Sequence, residues 1–145
     1  MFKHILLPTD GSMTAEPMIR KCVAFAKEAG ARLTALYVVP EFHVLAYEPG
    51  ILTATAEQYK RDSDARARQI LAVVELAAQE QGVPCDALFV YGDEPYETII
   101  RTAQERGADL VCMASHGRSG VKGVLLGSVT QKVLTHSQIP VLVYR

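Results

Sequence analysis

Short apolar runs alternate with longer amphipathic segments along the whole chain, which predicts the element order β-α-β-α-β-α-β-α-β. The predicted strands are nearly continuous in apolar residues, as strands buried on both faces are. They are "KHILLPTD", "ARLTALYVVP", "CDALFVYG", "ADLVCMAS" and "VLVYR". This order predicts an α/β fold whose parallel sheet carries helices on both faces, and the length of 145 residues suits a single domain over residues 1–145.

Two of the intervening helices have boundaries that the sequence suggests directly. The second is predicted from Thr53 to Gln81, after an irregular segment from Pro40 to Leu52. Ser128 opens the last helix, and Gln131 completes a capping-box pattern with it. The side chains expected on the inner side of the second helix are Tyr59, Ile70, Val73, Val74 and Ala77.

The charge is distributed unevenly, although the net charge of −1 gives no reason to expect nucleic-acid binding. Asp109 is the last acidic residue of the chain. The 36 residues that follow it contain four of the 15 lysines and arginines and none of the 16 acids, so this segment carries a charge of +4. An acid-free segment of this kind favours an anionic ligand.

The cysteines and the N-terminus indicate the compartment. Cys22, Cys85 and Cys112 share no metal-finger spacing, and each lies in an apolar context that suits a small hydrophobic side chain. The apolar run in "MFKHILLPTDGS" is too short for a signal peptide, and no run is long enough to span a bilayer. We therefore expect a cytoplasmic protein that does not contact membranes.

The stretch "MASHGRSGVKGVLLGSVT", after the fourth predicted strand, is the strongest candidate for a binding site. Parallel α/β sheets bind ligands beyond the carboxyl ends of their strands, where the strand order reverses. Gly127 and Ser128 lead into a helix whose first amides have no partner within the helix, which suits an anion. Arg118 and Lys122 would add positive charge. The glycines that permit close approach of a ligand are Gly117, Gly120 and Gly123.

Known phosphate-binding motifs are missing, since the chain contains neither G-x-x-x-x-G-K-[ST] nor G-x-G-x-x-G. Asp10 in "PTDGS" has two open interpretations. It could cap the first helix, or it could present a carboxylate to a ribose hydroxyl, a base amine or a phosphate-bound metal ion.

The histidines point less clearly to chemistry. His116 could work with Ser115, Ser119 or Asp10 in catalysis, but no G-x-S-x-G elbow supports a nucleophilic hydrolase. The other histidines are scattered and are not expected to form a metal-ligand cluster; they are His4, His43 and His136.

The chain resembles the universal stress protein family over its whole length. The resemblance lies in "ILLPTDGS", in the strand ending "LYVV", and in "ASHGRSGVKGVLLGSVTQKVL" running into "IPVLVYR". It implies an open, Rossmann-like five-stranded parallel sheet of order 3-2-1-4-5. ATP-binding members carry G-x2-G-x9-G-[ST], which falls here on Gly117, Gly127 and Ser128. Ala114 occupies the first glycine position, which alanine can take without strain if φ is negative.

The resemblance also implies roles for individual residues. Pro8, Thr9 and Asp10 would line the adenosine end, and Val38 would meet the adenine beside Met113. The residues implied for the phosphates are Gly117, Arg118, Ser119, Gly127, Ser128, Val129 and Thr130. Mg²⁺ or Mn²⁺ would arrive with the phosphates rather than in a cage of protein ligands.

The function implied is that of a stress-response protein that binds ATP or AMP and has at most slow ATPase activity. Two alternatives stay open: a family member that does not bind ATP and acts through protein contacts, favoured by Ala114, and a nucleotidyl transferase or hydrolase that uses His116. The last strand is expected at an exposed edge. The resemblance implies a homodimer that pairs Val141–Tyr144 with its copy.

Overall fold

The computed structural model describes residues 1–12, 15–43, 49–116 and 126–145. Its strands form one sheet of order β3-β2-β1-β4-β5, and every neighbouring pair is parallel. The predicted fold class and strand order are therefore confirmed. The strands are β1 (His4–Pro8), β2 (Arg32–Val39), β3 (Cys85–Tyr91), β4 (Leu110–Ala114) and β5 (Val141–Tyr144).

Two helices cover each face of the sheet. The helices are α1 (Ala15–Ala29), α2 (Pro49–Gln81), α3 (Pro95–Arg106) and α4 (Ser128–His136). α1 and α2 pack together on one face, and α3 and α4 pack together on the other. Within the described ranges, none of these helices combines the length and the apolar character needed to cross a membrane.

Strand β1 illustrates why the strands read as continuous apolar runs. Ile5 and Leu7 point into the core beneath α1 and α2, whereas Leu6 points into the core beneath α3 and α4. All three side chains are fully buried. Each contributes about 1.5–3 kcal/mol through burial of apolar surface, so both faces of the strand require apolar residues.

Helix α2 differs from the prediction at its start and in one core position. It begins at Pro49, because proline suits the first helical turn, and the irregular segment after β2 is shorter than expected. Val73 was predicted to face inward, but it is 42% exposed. The buried stripe of α2 contains Ala67, Leu71, Val74 and Ala78, and Val73 lies about 100° around the helix from Val74.

The cysteines are structural, as expected from their apolar contexts. All three are free thiols, and Cys22 and Cys112 are buried. A hydrogen bond with Cys112, together with burial, raises the pKa of the Cys22 thiol. Burial raises the pKa of Cys85 to about 11. The thiols of Cys22 and Cys85 are therefore protonated at neutral pH and make poor nucleophiles.

At the amino edge of the sheet, His4 is a buried titratable group. Its Nε2 lies 2.6 Å from the Thr34 hydroxyl, and its side chain is almost inaccessible to solvent. Burial, followed by the positive charge of Arg32, lowers the pKa of His4 below its ordinary value of 6.5. The folded protein therefore holds the neutral imidazole at a pH where the unfolded chain would protonate it.

We expect the free energy of unfolding to fall as the pH drops below the ordinary His4 value of 6.5. In that window the unfolded chain binds a proton at His4 that the folded protein does not, so acid favours unfolding. His4→Asn keeps a polar side chain that does not titrate, and its stability should change less in urea titrations between about pH 7.5 and about pH 5.5. If the original chain and His4→Asn lose the same free energy of unfolding over this pH range, His4 does not have this role.

Candidate functional site

The candidate site lies at the carboxyl edge of the sheet, between β1 and β4. From β1 the chain passes through α1 to β2 on one side, and from β4 it passes through α4 to β5 on the other. The register between these central strands joins Ile5 to Leu110 and Leu6 to Val111. The carboxyl ends of these two strands, at Pro8 and Ala114, lead into separate loops. This is the position at which an open α/β sheet forms a ligand-binding crevice.

The loop after β1 is held by its own hydrogen bonds. The amide of Thr9 donates to Leu36 O at 2.9 Å, and the Thr9 hydroxyl accepts from the Gly11 amide at 3.3 Å. Oδ1 of Asp10 accepts from the Ser12 amide at 2.9 Å, which is the geometry of an Asx turn. Asp10 therefore stabilises its own loop and places a partly exposed carboxylate at the crevice.

Gly11 allows this loop to approach α2 closely. Its φ is +76°, in the region that favours glycine, and a Cβ there would lie 2.6 Å from Cδ1 of Ile70. Ile70 was expected only as a core residue of α2, and sequence reasoning missed its contact with the loop. The turn that positions the Asp10 carboxylate therefore packs against Ile70 of helix α2.

On the other side of the crevice, backbone contacts anchor α4 to the end of β4. The Ser115 amide donates to Tyr144 O at 2.7 Å, and the Gly127 amide donates to Ser115 O at 2.6 Å. The Thr130 hydroxyl donates to Ala114 O at 2.8 Å. The Thr130 hydroxyl therefore donates its proton to strand β4, and it holds the first turn of α4 against the end of that strand.

Helix α4 begins without a side-chain cap. The predicted capping box is wrong, because Gly127 is the N-cap residue and Ser128 is already helical. Gln131 Nε2 donates to Leu126 O at 2.9 Å, and the Gln131 amide makes the first helical bond, to Gly127 O. The amides of residues 128–130 have no acceptor within the helix and carry partial positive charge, which favours an anion at this end.

Three of the remaining predicted residues pack against the core beneath α3 and α4. Met113 is buried, whereas Val38 and Val129 are partly exposed. Ala114 has no positive φ, so alanine fits this backbone without strain. The other predicted positions lie outside the described residues: Gly117, Gly120, Gly123, Arg118, Ser119 and Lys122.

Replacing Ala114 with glycine is expected to leave the nucleotide affinity that the resemblance implies within about threefold of the original, a change of less than about 1 kcal/mol. The Ala114 side chain packs against the core beneath α1 and α2. Its loss should instead lower the free energy of unfolding by about 1 kcal/mol, through lost packing and greater backbone freedom. Calorimetric titration and urea unfolding of Ala114→Gly measure the two effects. A tenfold gain in affinity would mean that the methyl group crowds the ligand.

His116 and Ser115 lie within hydrogen-bond distance of each other, but the burial of Ser115 leaves its hydroxyl little access to a substrate. Ser115 Oγ is 3.1 Å from Nδ1 of His116, the neighbouring residue. The Ser115 side chain is only 7% exposed, and its backbone joins β5 to α4. This arrangement fits a structural role for Ser115.

The loop after β3 approaches the same edge beside Val38. The Gly92 amide donates to Val39 O at 2.9 Å. A Cβ on Gly92 would lie 2.5 Å from Thr98 Oγ1 and 3.9 Å from Cγ1 of Val38. No residue of this loop, "YGDEP", was selected from the sequence for the candidate site. Its single glycine is the feature of the sequence that could have drawn attention to the loop.

Known proteins match the chain over its full length. The sequence profile of the Universal stress protein family matches residues 1–145. Universal stress protein MJ0577 of Methanocaldococcus jannaschii is 31% identical over 156 residues, covering 100% of this chain and 96% of the relative. Universal stress protein YxiE of Bacillus subtilis is 32% identical over 149 residues and is covered completely, as is this chain.

Solved structures agree with the fold. The structure of MJ0577 matches with a TM-score of 0.83 at 31% identity, over 99% of this chain and 95% of that one. A universal stress protein in complex with cAMP matches at 24% identity, with a TM-score of 0.67 and coverage of 99% and 97%. One from Archaeoglobus fulgidus in complex with dAMP matches at 14% identity, with a TM-score of 0.64 and coverage of 100% and 98%. The last two likenesses show the fold alone.

Proposed function

Because the chain belongs to the universal stress protein family, we propose that it is a stress-response protein that binds ATP or AMP and acts as a nucleotide-gated binding module. The observation that carries this proposal is the uncapped start of α4 at the crevice between β1 and β4. A helix start of this kind binds phosphate groups through its amides and its dipole. That two proteins with the same fold were crystallised with cAMP and dAMP supports an adenine nucleotide as the ligand.

The proposed site divides into an adenosine end and a phosphate end. Pro8, Thr9 and Asp10 would line the adenosine end, where the fixed turn presents the Asp10 carboxylate to a ribose hydroxyl. Val38 and Met113 would provide apolar contact for the base. The phosphates would meet the first amides of α4, together with groups from the preceding loop. The residues proposed for this end are Ala114, Gly117, Arg118, Ser119, Gly127, Ser128, Val129 and Thr130.

A divalent cation would accompany the phosphates. Mg²⁺ and Mn²⁺ prefer oxygen ligands, and Mg²⁺ commonly takes one or two carboxylates together with phosphate oxygens and water. Asp10 is a carboxylate at the crevice and fits that donor set. We propose at most slow ATPase activity, which is what the resemblance to the family implies.

Calorimetric titration with ATP, AMP and buffer tests this proposal. We expect saturable binding of ATP or AMP in a 1:1 ratio and a rise in melting temperature with nucleotide concentration. At about millimolar ATP, even binding with a millimolar dissociation constant would be detected. The absence of both heat and a thermal shift at that concentration would therefore refute the proposal. That outcome would leave the alternative of a family member that acts through protein contacts.

We also propose a homodimer through Val141–Tyr144. β5 is an edge strand of the sheet, and its four residues are only partly buried in the single chain. Leu134 of α4 is 41% exposed. Antiparallel pairing of two β5 strands would give hydrogen-bond partners to the backbone groups at this edge of the sheet. Light scattering at micromolar concentration should give twice the mass of the chain, and the mass of a single chain would contradict the pairing.

The domain organisation and the compartment of the protein are also proposals. We propose that residues 1–145 form one domain, supported by the central sheet, which contributes to the cores on both of its faces. We propose the cytoplasm as its compartment, supported by three free cysteines.

A further inference from the structure

We propose that Glu41, His43 and Asp93 form a binding site for a divalent transition metal, with Zn²⁺ as the preferred ion. Glu41 and His43 follow β2, and Asp93 follows β3, so the two loops meet at the carboxyl edge of neighbouring strands. One donor atom from each side chain lies within 4.8 Å of the other two. The proposal departs from the expectation that His43 joins no metal-ligand cluster; local spacing did not indicate its neighbour Asp93, which is 50 residues away in sequence.

The distances suit a metal with little rearrangement. Nε2 of His43 lies 2.7 Å from Oδ2 of Asp93. Around a tetrahedral Zn²⁺ the ligand atoms are about 3.4 Å apart, given metal–ligand bonds of about 2.1 Å. The histidine and aspartate therefore need to separate by less than about 1 Å, and the glutamate must close by at most about 1.4 Å. All three side chains are exposed, so such rotations meet little resistance.

The backbone that carries these side chains is already fixed. The Tyr59 hydroxyl donates to Pro40 O at 2.5 Å, and the Phe42 ring packs on the Tyr59 ring with centroids 5.2 Å apart. These contacts hold the loop after β2 against α2. The Glu41 amide donates to Asp93 Oδ1 at 3.2 Å, which joins the loops after β2 and β3. A site on a fixed backbone loses little entropy when it orders around an ion.

The donor set selects the class of metal. An imidazole with two carboxylates suits zinc and related first-row ions, whereas Ca²⁺ and Mg²⁺ prefer sites made of oxygen alone. Three protein ligands leave one position of a tetrahedral ion for water. The two carboxylates also bring negative charge to the cluster, which the cation neutralises.

This site is separate from the cation that would accompany a nucleotide. Its ligands follow β2 and β3, whereas the proposed phosphate end lies at α4 beside β4. The site therefore needs no nucleotide, and a metal titration in the absence of nucleotide tests it independently of the proposed function.

The test is calorimetric titration of the metal-free protein with ZnCl₂ near neutral pH. We expect one Zn²⁺ per chain, with affinity at least tenfold lower in His43→Ala and in Asp93→Asn, because even the loss of a group that only orients a metal ligand costs about 10–100-fold. His136→Ala removes another exposed imidazole, on α4, and should bind Zn²⁺ as the original chain does. Because all the changed side chains are exposed, melting temperatures without metal should stay close together.

Replacement of Zn²⁺ by Co²⁺ gives a second readout, since the visible absorption of Co²⁺ reports its coordination. The original chain and His136→Ala should give the same tetrahedral spectrum, and His43→Ala should lose it. Absence of stoichiometric Zn²⁺ binding would overturn the proposal. So would binding that His43→Ala and Asp93→Asn leave unchanged, because the ion would then occupy another site.

Discussion

Replacing Ser128 with proline is expected to weaken ATP binding by about tenfold to a hundredfold while the fold stays intact. Proline removes one amide donor from the start of α4, and a hydrogen bond to a charged phosphate contributes about 1.5–3 kcal/mol. The helix should tolerate the change because Ser128 is its first residue, where proline is common. Gly127, with φ −65° and ψ 158°, already has the extended conformation that precedes proline.

Ser128→Ala is the matched control for this experiment. It removes the exposed hydroxyl but keeps the amide, so its affinity should lie between those of the original chain and Ser128→Pro. Calorimetric titration with ATP measures all three, and circular dichroism with thermal melts checks that α4 is retained. Equal ATP affinity in Ser128→Pro and Ser128→Ala would mean that this amide does not contact the phosphates.

Replacing Gly11 with alanine is expected to lower the free energy of unfolding by about 2–4 kcal/mol. Two causes add here: alanine is strained at a φ of +76°, and its Cβ would lie 2.6 Å from Ile70 Cδ1 and 2.8 Å from Cγ1. For a chain of this size the loss corresponds to about 5–15 °C in melting temperature. Nucleotide affinity should fall too, because the displaced turn carries Asp10. Urea unfolding and ATP titration measure the two effects.

Gly30→Ala separates the two causes. Gly30 has a similar φ of +67°, but a Cβ there would meet nothing within 4 Å. Its replacement should therefore cost only the backbone strain, about 1–2 kcal/mol, and should leave nucleotide affinity unchanged. If the two variants lose equal stability, the contact between the loop and Ile70 does not constrain the turn.

The order of elements could be predicted from the sequence because strands buried on both faces need unbroken apolar runs. Ile5, Leu6 and Leu7 show this directly, since alternate side chains enter opposite cores. The order of the strands came from the resemblance, because local pattern does not say which strands pair. Val73 was misplaced because an apolar residue on a long helix can lie outside the buried stripe, and the helix phase depends on packing.

The candidate site could be predicted in outline but not in its contacts. Glycines and cations after the fourth strand indicated an anion site, and Gly127 with Ser128 lies at the expected helix start. The prediction that Ser128 caps α4 was wrong, because Gly127 occupies the cap position and the Gln131 side chain donates a hydrogen bond to Leu126 O instead. The contact of Gly11 with Ile70 joins residues 59 positions apart, and no local pattern reveals it.

A crystal structure grown with ATP and Mg²⁺ would show where the nucleotide binds. We expect its density in the crevice between β1 and β4, with phosphate oxygens within about 3.2 Å of amides in the first turn of α4 and with Asp10 near the ribose. Phosphates bound elsewhere on the protein, or a crevice without nucleotide in crystals grown at saturating ATP, would contradict this expectation.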